Sequence, residues 1–178
     1  RGKVVLDKFY RKLGSDGCAT IQAVASDGAR GFLSSTKAFA KNALIVLDHF
    51  HVKKYLNDAL DTVRKEELHK ARKENNDELC KILHCNQRFI LMKSAKGKKK
   101  QDLLGKLATL NERVYQAMLL KEQFLSVYAA KDRQTAQTTL KDWIVAAMKS
   151  KISAFVELGN KFFRKRHLDR KSTRLNSS

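Results

Sequence analysis

Apolar residues recur along this chain in two rhythms. Two short, nearly unbroken apolar runs lie in the first third, at residues 20–26 (TIQAVAS) and at Ala43, Leu44, Ile45, Val46 and Leu47. Their length and composition predict β-strands, the second of them buried. The first run ends in Asp27-Gly28, and the second passes directly into Asp48, His49, Phe50 and His51. Between them Phe32, Leu33, Thr36 and Phe39 fall at the three-to-four spacing of an amphipathic helix over residues 29–41. A strand, a helical connection and a second strand predict a parallel pair with a right-handed crossover. Both strands then finish at one edge, which places Asp27 near Asp48. In open α/β sheets that edge is where ligands bind.

The rest of the pattern is helical. Val4, Val5, Leu6, Phe9, Tyr10 and Leu13 mark a first helix closed by Gly14, with residues 15–17 as a turn. Past the second strand, Val52, Tyr55, Leu56, Ala59, Leu60 and Val63 share one face of a long helix that ends near Asn75. Its opposite face is crowded with charge, either a solvated surface or a binding face. Residues 77–84 and 87–93 predict two shorter helices, and residues 94–100 (SAKGKKK) a flexible basic loop. Residues 101–108, 111–130, 133–150 and 152–166 repeat one theme, with Val114, Tyr115, Met118, Leu119, Phe124, Leu125, Tyr128, Leu140, Trp143, Ile144 and Ala147 as stripes. Such stripes predict helix packing rather than a cofactor site. Residues 169–178 have no periodicity.

Charge adds a partner to this picture. The chain has 37 Lys and Arg against 18 Asp and Glu, a formal +19, with a pI near 10.0. Such a field favours a polyanion, nucleic acid first and an anionic membrane surface second. The Lys98-Lys99-Lys100 run and the Arg164-Lys165-Arg166 cluster that follows Phe162 and Phe163 are the candidate phosphate contacts, the alternative being solvated lysines and arginines. Three cysteines, Cys18, Cys80 and Cys85, form no disulfide framework and fit a reducing compartment. No apolar run is long enough to cross a bilayer and no signal peptide is visible, so a cytoplasmic protein is expected. The first residue is Arg1 and a helical pattern starts almost at once, which points to N-terminal truncation.

The chemistry-bearing residues each carry two readings. Asp27 and Asp48 follow strands and precede helices, so each is either a helix cap or half of a carboxylate pair that holds a divalent cation such as Mg²⁺. His51 orients Asp48, contacts a phosphate, or is a hydrogen-bonded histidine without further role. Cys80 and His84 share a helical face near Cys85, but the paired CxxC spacing of a zinc site is missing. No Gly-rich phosphate loop, GxSxG elbow or HExxH helix occurs.

VASDGARGF followed by NALIVLDHFHVKKYLNDALDTVRKE resembles bacterial insertion-sequence transposases of the Asp-Asp-Glu class, the group with an Asp-x-Phe-His strand end followed by a long helix. VVLDKFYRKLG and LNERVYQAMLLKEQFLSVYAAKD resemble that group's first helix and inserted helical region, so the likeness covers most of residues 4–167. The resemblance implies an α/β plus all-α chain: a partial ribonuclease H-like core over residues 1–60, a helical insertion over 61–167, and a disordered or non-native tail over 168–178. Asp27 matches the family's second catalytic carboxylate and so implies a metal ligand, for Mg²⁺ or Mn²⁺. Asp48 and His51 match its Asp-x-x-His element. The first Asp of the triad and the Glu have no match here, Glu157 lying in the wrong context, and the first three strands of the core are likewise unmatched. The implied function is metal-dependent DNA strand cleavage and transfer during transposition. The implied partners are transposon-end and target DNA, with a possible homo-oligomer in the intact enzyme and no membrane. Two further readings stand beside it: a non-enzymatic basic nucleic-acid-binding protein, and a helical interaction protein whose charge only solubilises.

Overall fold

A computed structural model describes residues 2–91 and 98–174 of the chain. The elements run α1 (Gly2–Ala19), β1 (Ala23–Ser26), α2 (Arg30–Phe39), β2 (Leu44–Leu47), α3 (His49–Lys73), α4 (Asp77–Cys85), α5 (Gln87–Leu91), α6 (Lys98–Leu110), α7 (Glu112–Tyr128), α8 (Arg133–Lys149) and α9 (Ser153–Arg174). The described chain is thus mostly helical with one small sheet. β1 and β2 pair in parallel, with Ala23 opposite Leu44 and Ser26 opposite Leu47. Contacts divide the chain into two units. One takes in the chain up to Lys54 together with the end of α9; the other is Tyr55–His167.

In the first unit a small core joins α1 to α2. Tyr10, Cys18 and Ala40 are buried, and Leu6, Ile21, Phe39 and Ala43 pack against them. The Tyr10 ring stacks on Phe39 with centroids 5.6 Å apart. Polar contacts finish the seam: Tyr10 Oη and Thr36 Oγ1 share a hydrogen bond at 3.1 Å, and the buried Ser35 hydroxyl donates to Asp7. Lys3 and Ser35 hold the Asp7 carboxyl below the usual carboxylate range.

Three details depart from the sequence pattern. Gly14 does not end the first helix. With φ 76° and ψ 172° it kinks α1, and residues 15–17 continue as helix. The first strand is shorter than its apolar run, because the Ile21 N–H turns back onto the Cys18 carbonyl and its side chain joins the core. The second strand is not buried. Leu44 and Val46 alternate onto a face where they stay 43% and 42% exposed, so an apolar run alone did not report what covers it.

The second unit has a continuous core. Leu56, Leu60 and Val63 of α3, Leu83 of α4, Ile90 of α5, Leu107 of α6, Val114 of α7 and Phe155 of α9 are fully buried. Each such side chain stabilises by about 1.5–3 kcal/mol relative to exposure. Phe124, Trp143 and Phe162 form an aromatic cluster with centroids 4.8–5.8 Å apart. The Trp143 indole N–H donates to the Leu120 carbonyl at 2.6 Å, which satisfies its one polar atom. Of the stripe residues read from sequence, Val114, Met118, Phe124, Trp143, Ile144 and Ala147 are buried, whereas Leu119 and Tyr128 are exposed.

Helix boundaries follow local chemistry. Asn75 adopts φ 54°, the left-handed conformation that asparagine tolerates, and ends the segment after α3. Asn76 then caps α4 by accepting from the Leu79 N–H at 3.0 Å. Asn111 and Asp132 cap α7 and α8 in the same way. The expected basic loop is partly helix: Lys98–Leu110 is α6, and residues 94–97 lie outside the described residues. α9 runs on to Arg174, into the segment that shows no periodicity; residues 175–178 lie outside the described ones.

Candidate functional site

The C-terminal edge of the sheet gathers three of the predicted residues. Ser26 lies opposite Leu47, so Asp27 and Asp48 are the next residues of their strands, and the Asp48 N–H donates to the Ser26 carbonyl at 2.9 Å. This is the juxtaposition that the strand-helix-strand order predicts, and the two carboxylates end neighbouring strands.

The local roles of the two carboxylates differ. Asp27 is not the cap of α2. That position is Ala29, which makes no side-chain capping bond. Asp27 Oδ1 instead accepts from the Ala29 N–H at 2.8 Å, closing a turn across Gly28, whose φ of 80° suits glycine. The Gly28 N–H donates to Ser26 Oγ at 3.1 Å. Asp48 is a helix cap: its carbonyl takes the Val52 N–H at 3.0 Å and Oδ1 takes the Phe50 N–H at 3.1 Å. Its other oxygen, Oδ2, lies 2.5 Å from His51 Nδ1. The His51 contact first, then the Phe50 N–H, holds the Asp48 carboxyl below the ordinary range. The His51 side chain is 42% exposed.

The donor set suits a hard divalent cation. Mg²⁺ takes oxygen ligands, often only one or two carboxylates, and completes its shell with water and phosphate. Each carboxylate oxygen carries two lone pairs, so the turn and cap bonds do not use up Asp27 or Asp48. No group of three or more His, Cys, Asp or Glu poised to hold a metal occurs among the described residues.

Other candidates fall elsewhere. Lys98 and Lys99 are exposed in the first turn of α6. Cations there oppose the helix dipole, at a cost in helix stability, and raise the attraction of that helix end for an anion. Arg164 is exposed on α9; the side chains of Lys100, Lys165 and Arg166 lie outside the described residues. Glu157 is exposed on the same helix. Cys80, His84 and Cys85 belong to no group of three or more metal-ligating side chains among the described residues. They line an open cleft of about 630 Å³ with Leu68, Arg72, Asp77, Glu78 and Lys81, and the thiols are free.

Some polar residues that matter were hidden on the charged face of α3. Arg64 is 4% exposed, pairs with Asp61 at 2.7 Å and donates to the Leu83 carbonyl at 3.2 Å. Glu67 is also buried and accepts from Asn111 and Arg113, each at 2.7 Å. Burial pushes the Glu67 carboxyl up, but these two donors outweigh it and leave it lowered. Lys121 donates to the Leu91 carbonyl. These contacts fasten α4, α5 and α7.

Residues 1–170 match the DDE transposase family of the ISL3 group, described as a transposase, and the chain belongs to that family. Its relatives include the transposase for insertion sequence element IS1557 of Mycobacterium tuberculosis, in strain CDC 1551 / Oshkosh and in strain ATCC 25618 / H37Rv. Each is 27% identical over 186 residues, aligned with 93% of this chain and 41% of the relative. The chain therefore spans about two-fifths of the length of these curated relatives. No solved structure matches it. Among the described residues no helix is long and apolar enough to cross a membrane.

Proposed function

We propose that this chain is the part of an insertion-sequence transposase that carries one catalytic carboxylate edge and a helical DNA-holding region. The observation that carries this reading is the parallel register that sets Asp27 beside Asp48 at one sheet edge, in a chain of this family. On this reading residues 1–60 are part of a ribonuclease H-like core, residues 61–167 are a helical insertion, and residues 168–178 are a tail. Asp27 holds the divalent cation, Mg²⁺ or Mn²⁺, with Asp48 beside it. When bound, that cation supplies Lewis acidity at a phosphodiester and lowers the pKa of an attacking water.

The chain's own residues do the rest. His51, fixed through Nδ1 by Asp48, presents Nε2 to accept a proton or to donate one to a phosphate oxygen. Lys98, Lys99, Lys100, Arg164, Lys165 and Arg166 neutralise phosphates of transposon-end or target DNA. Strand transfer needs a third carboxylate, and none joins Asp27 and Asp48 among the described residues. The chain alone accordingly binds duplex DNA without cutting it.

The Asx turn of Asp27 and the cap of Asp48 favour one other reading, a basic DNA-binding protein in which both carboxylates are structural. The deciding test measures Mn²⁺ binding and duplex binding by the same protein. Weak Mn²⁺ binding that Asp27→Ala abolishes, with duplex affinity intact, supports the transposase edge. Equal Mn²⁺ binding by both proteins leaves the carboxylates structural. Mg²⁺-dependent nicking abolished by Asp27→Ala would overturn the claim that the chain alone is inactive.

A further inference from the structure

The side chain between the two histidines has no role in the scheme so far. Phe50 is 72% exposed, the most solvent-exposed large apolar side chain among the described residues. It sits in the first turn of α3, two residues after Asp48, and its own N–H is bound by the Asp48 carboxylate. Its ring meets His51 edge-on, with centroids 6.0 Å apart and planes at 89°. The cap thus fixes the backbone beneath the ring and His51 borders one edge. Lys53 and Lys54 follow at the three- and four-residue spacing that puts them on the same helical face, and both are exposed.

We propose that Phe50 is a stacking platform for an unpaired nucleobase at the carboxylate edge. This rests on the DNA reading above and adds to it the state of the DNA that the edge accepts. An exposed aromatic face with lysines along the same side is the combination by which proteins hold single strands: the ring takes the base and the cations take the phosphates. The formal +19 of the chain supplies the matching sign of charge. A base inside a duplex has both faces covered by its neighbours, so the ring selects a base that has left the stack. The ring lies within two residues of Asp48, so a phosphate next to the stacked base comes to the edge that carries the carboxylates.

The test uses the 178-residue chain as wild type, Phe50→Ala and Phe50→Trp. Fluorescence anisotropy follows binding to labelled oligo-thymidine and to a fully paired duplex, over a range of salt. Phe50→Ala is expected to weaken oligo-thymidine binding by about 5- to 150-fold, the range that loss of one base–aromatic stack gives. Duplex affinity and the salt slope stay unchanged, since no phosphate contact is lost. Phe50→Trp keeps the single-strand affinity, and its added fluorescence is quenched on binding. Oligo-thymidine binding by a folded Phe50→Ala equal to wild type overturns the proposal, and so does an equal loss on both DNAs. If Phe50→Ala fails to fold, the Phe50→Trp variant decides: an introduced indole whose fluorescence oligo-thymidine leaves unquenched overturns it. Wild type that binds the duplex while any of those results holds loses only this inference; wild type that binds neither DNA loses the DNA reading as well.

Discussion

The two units of this chain hold themselves together by different means. Tyr55–His167 buries leucines and aromatics from α3 through α9, and its buried Arg64, Glu67 and Lys121 are each hydrogen-bonded. The unit up to Lys54 gathers a small buried apolar cluster, Tyr10, Cys18 and Ala40, and closes α1 on α2 with hydroxyl and carboxylate contacts. The sheet edge that carries Asp27 and Asp48 belongs to the thinner unit. A small two-stranded sheet is marginal by itself, so the edge is expected to open at lower denaturant than the helical unit.

Separate probes test this. Trp143 is the one tryptophan of the chain and lies in the helical unit. Cys18 is a buried thiol of the other unit, and in a Cys80→Ser/Cys85→Ser background its labelling reports that unit alone. The largest effect is expected from Phe155→Ala, which removes a fully buried ring at a cost of about 3–5 kcal/mol. Urea titration followed by Trp143 fluorescence should show it, with Cys18 labelling at low urea unchanged. A loss under about 1 kcal/mol would mean that Phe155 is not part of a tight core.

Next comes Glu67→Ala, which takes one partner from Asn111 and one of two from Arg113, whose guanidinium keeps Glu66 at 2.6 Å. Because Arg113 is partly exposed, the loss is expected at about 1–3 kcal/mol in the same fluorescence transition. Arg113→Ala combined with it should cost less than the sum of the two single changes; strict additivity would deny the contact. Smaller still is Tyr10→Phe, which removes the bond to Thr36 for about 1 kcal/mol. It should speed Cys18 labelling and leave the Trp143 transition in place. Movement of both transitions together would make the two units one cooperative block.

The last effect is on pH. Asp48 is held low by His51 and the Phe50 N–H, and a depressed carboxylate stabilises the fold above its unfolded pKa. That contribution disappears as pH falls through the lowered folded value. Urea melts by circular dichroism should therefore weaken on the acid side of the normal carboxylate range. Asp48→Asn, which keeps a cap acceptor but not the charge, should flatten that limb. An unchanged acid limb in the variant would count against the ionic part of the His51 pairing.

How much of this could be read from the residues depended on whether partners were near in sequence. The strand-helix-strand unit, the edge position of Asp27 and Asp48, and the Asp48–His51 contact follow from spacing within about one helix turn or one crossover. Arg64 and Glu67 did not stand out among the charges of α3, because Leu83, Asn111 and Arg113 lie far along the chain. Lys98 read as loop because a lysine run looks alike in a loop and in the first turn of a helix. Leu44 and Val46 read as buried because composition reports apolarity and not cover. Phe50 passed as part of a motif; its exposure needed the helix to be placed.

Gly28 links the carboxylate at the edge to inheritance. At φ 80° it occupies backbone that most other residues enter at a cost of about 1–2 kcal/mol. The turn it makes brings the Ala29 N–H to Asp27. A descendant that keeps the aspartate but replaces the glycine loses the orientation of the carboxylate before it loses the carboxylate itself. The two residues are therefore coupled, and a change at position 28 is expected to disturb the placement of the carboxylate at position 27.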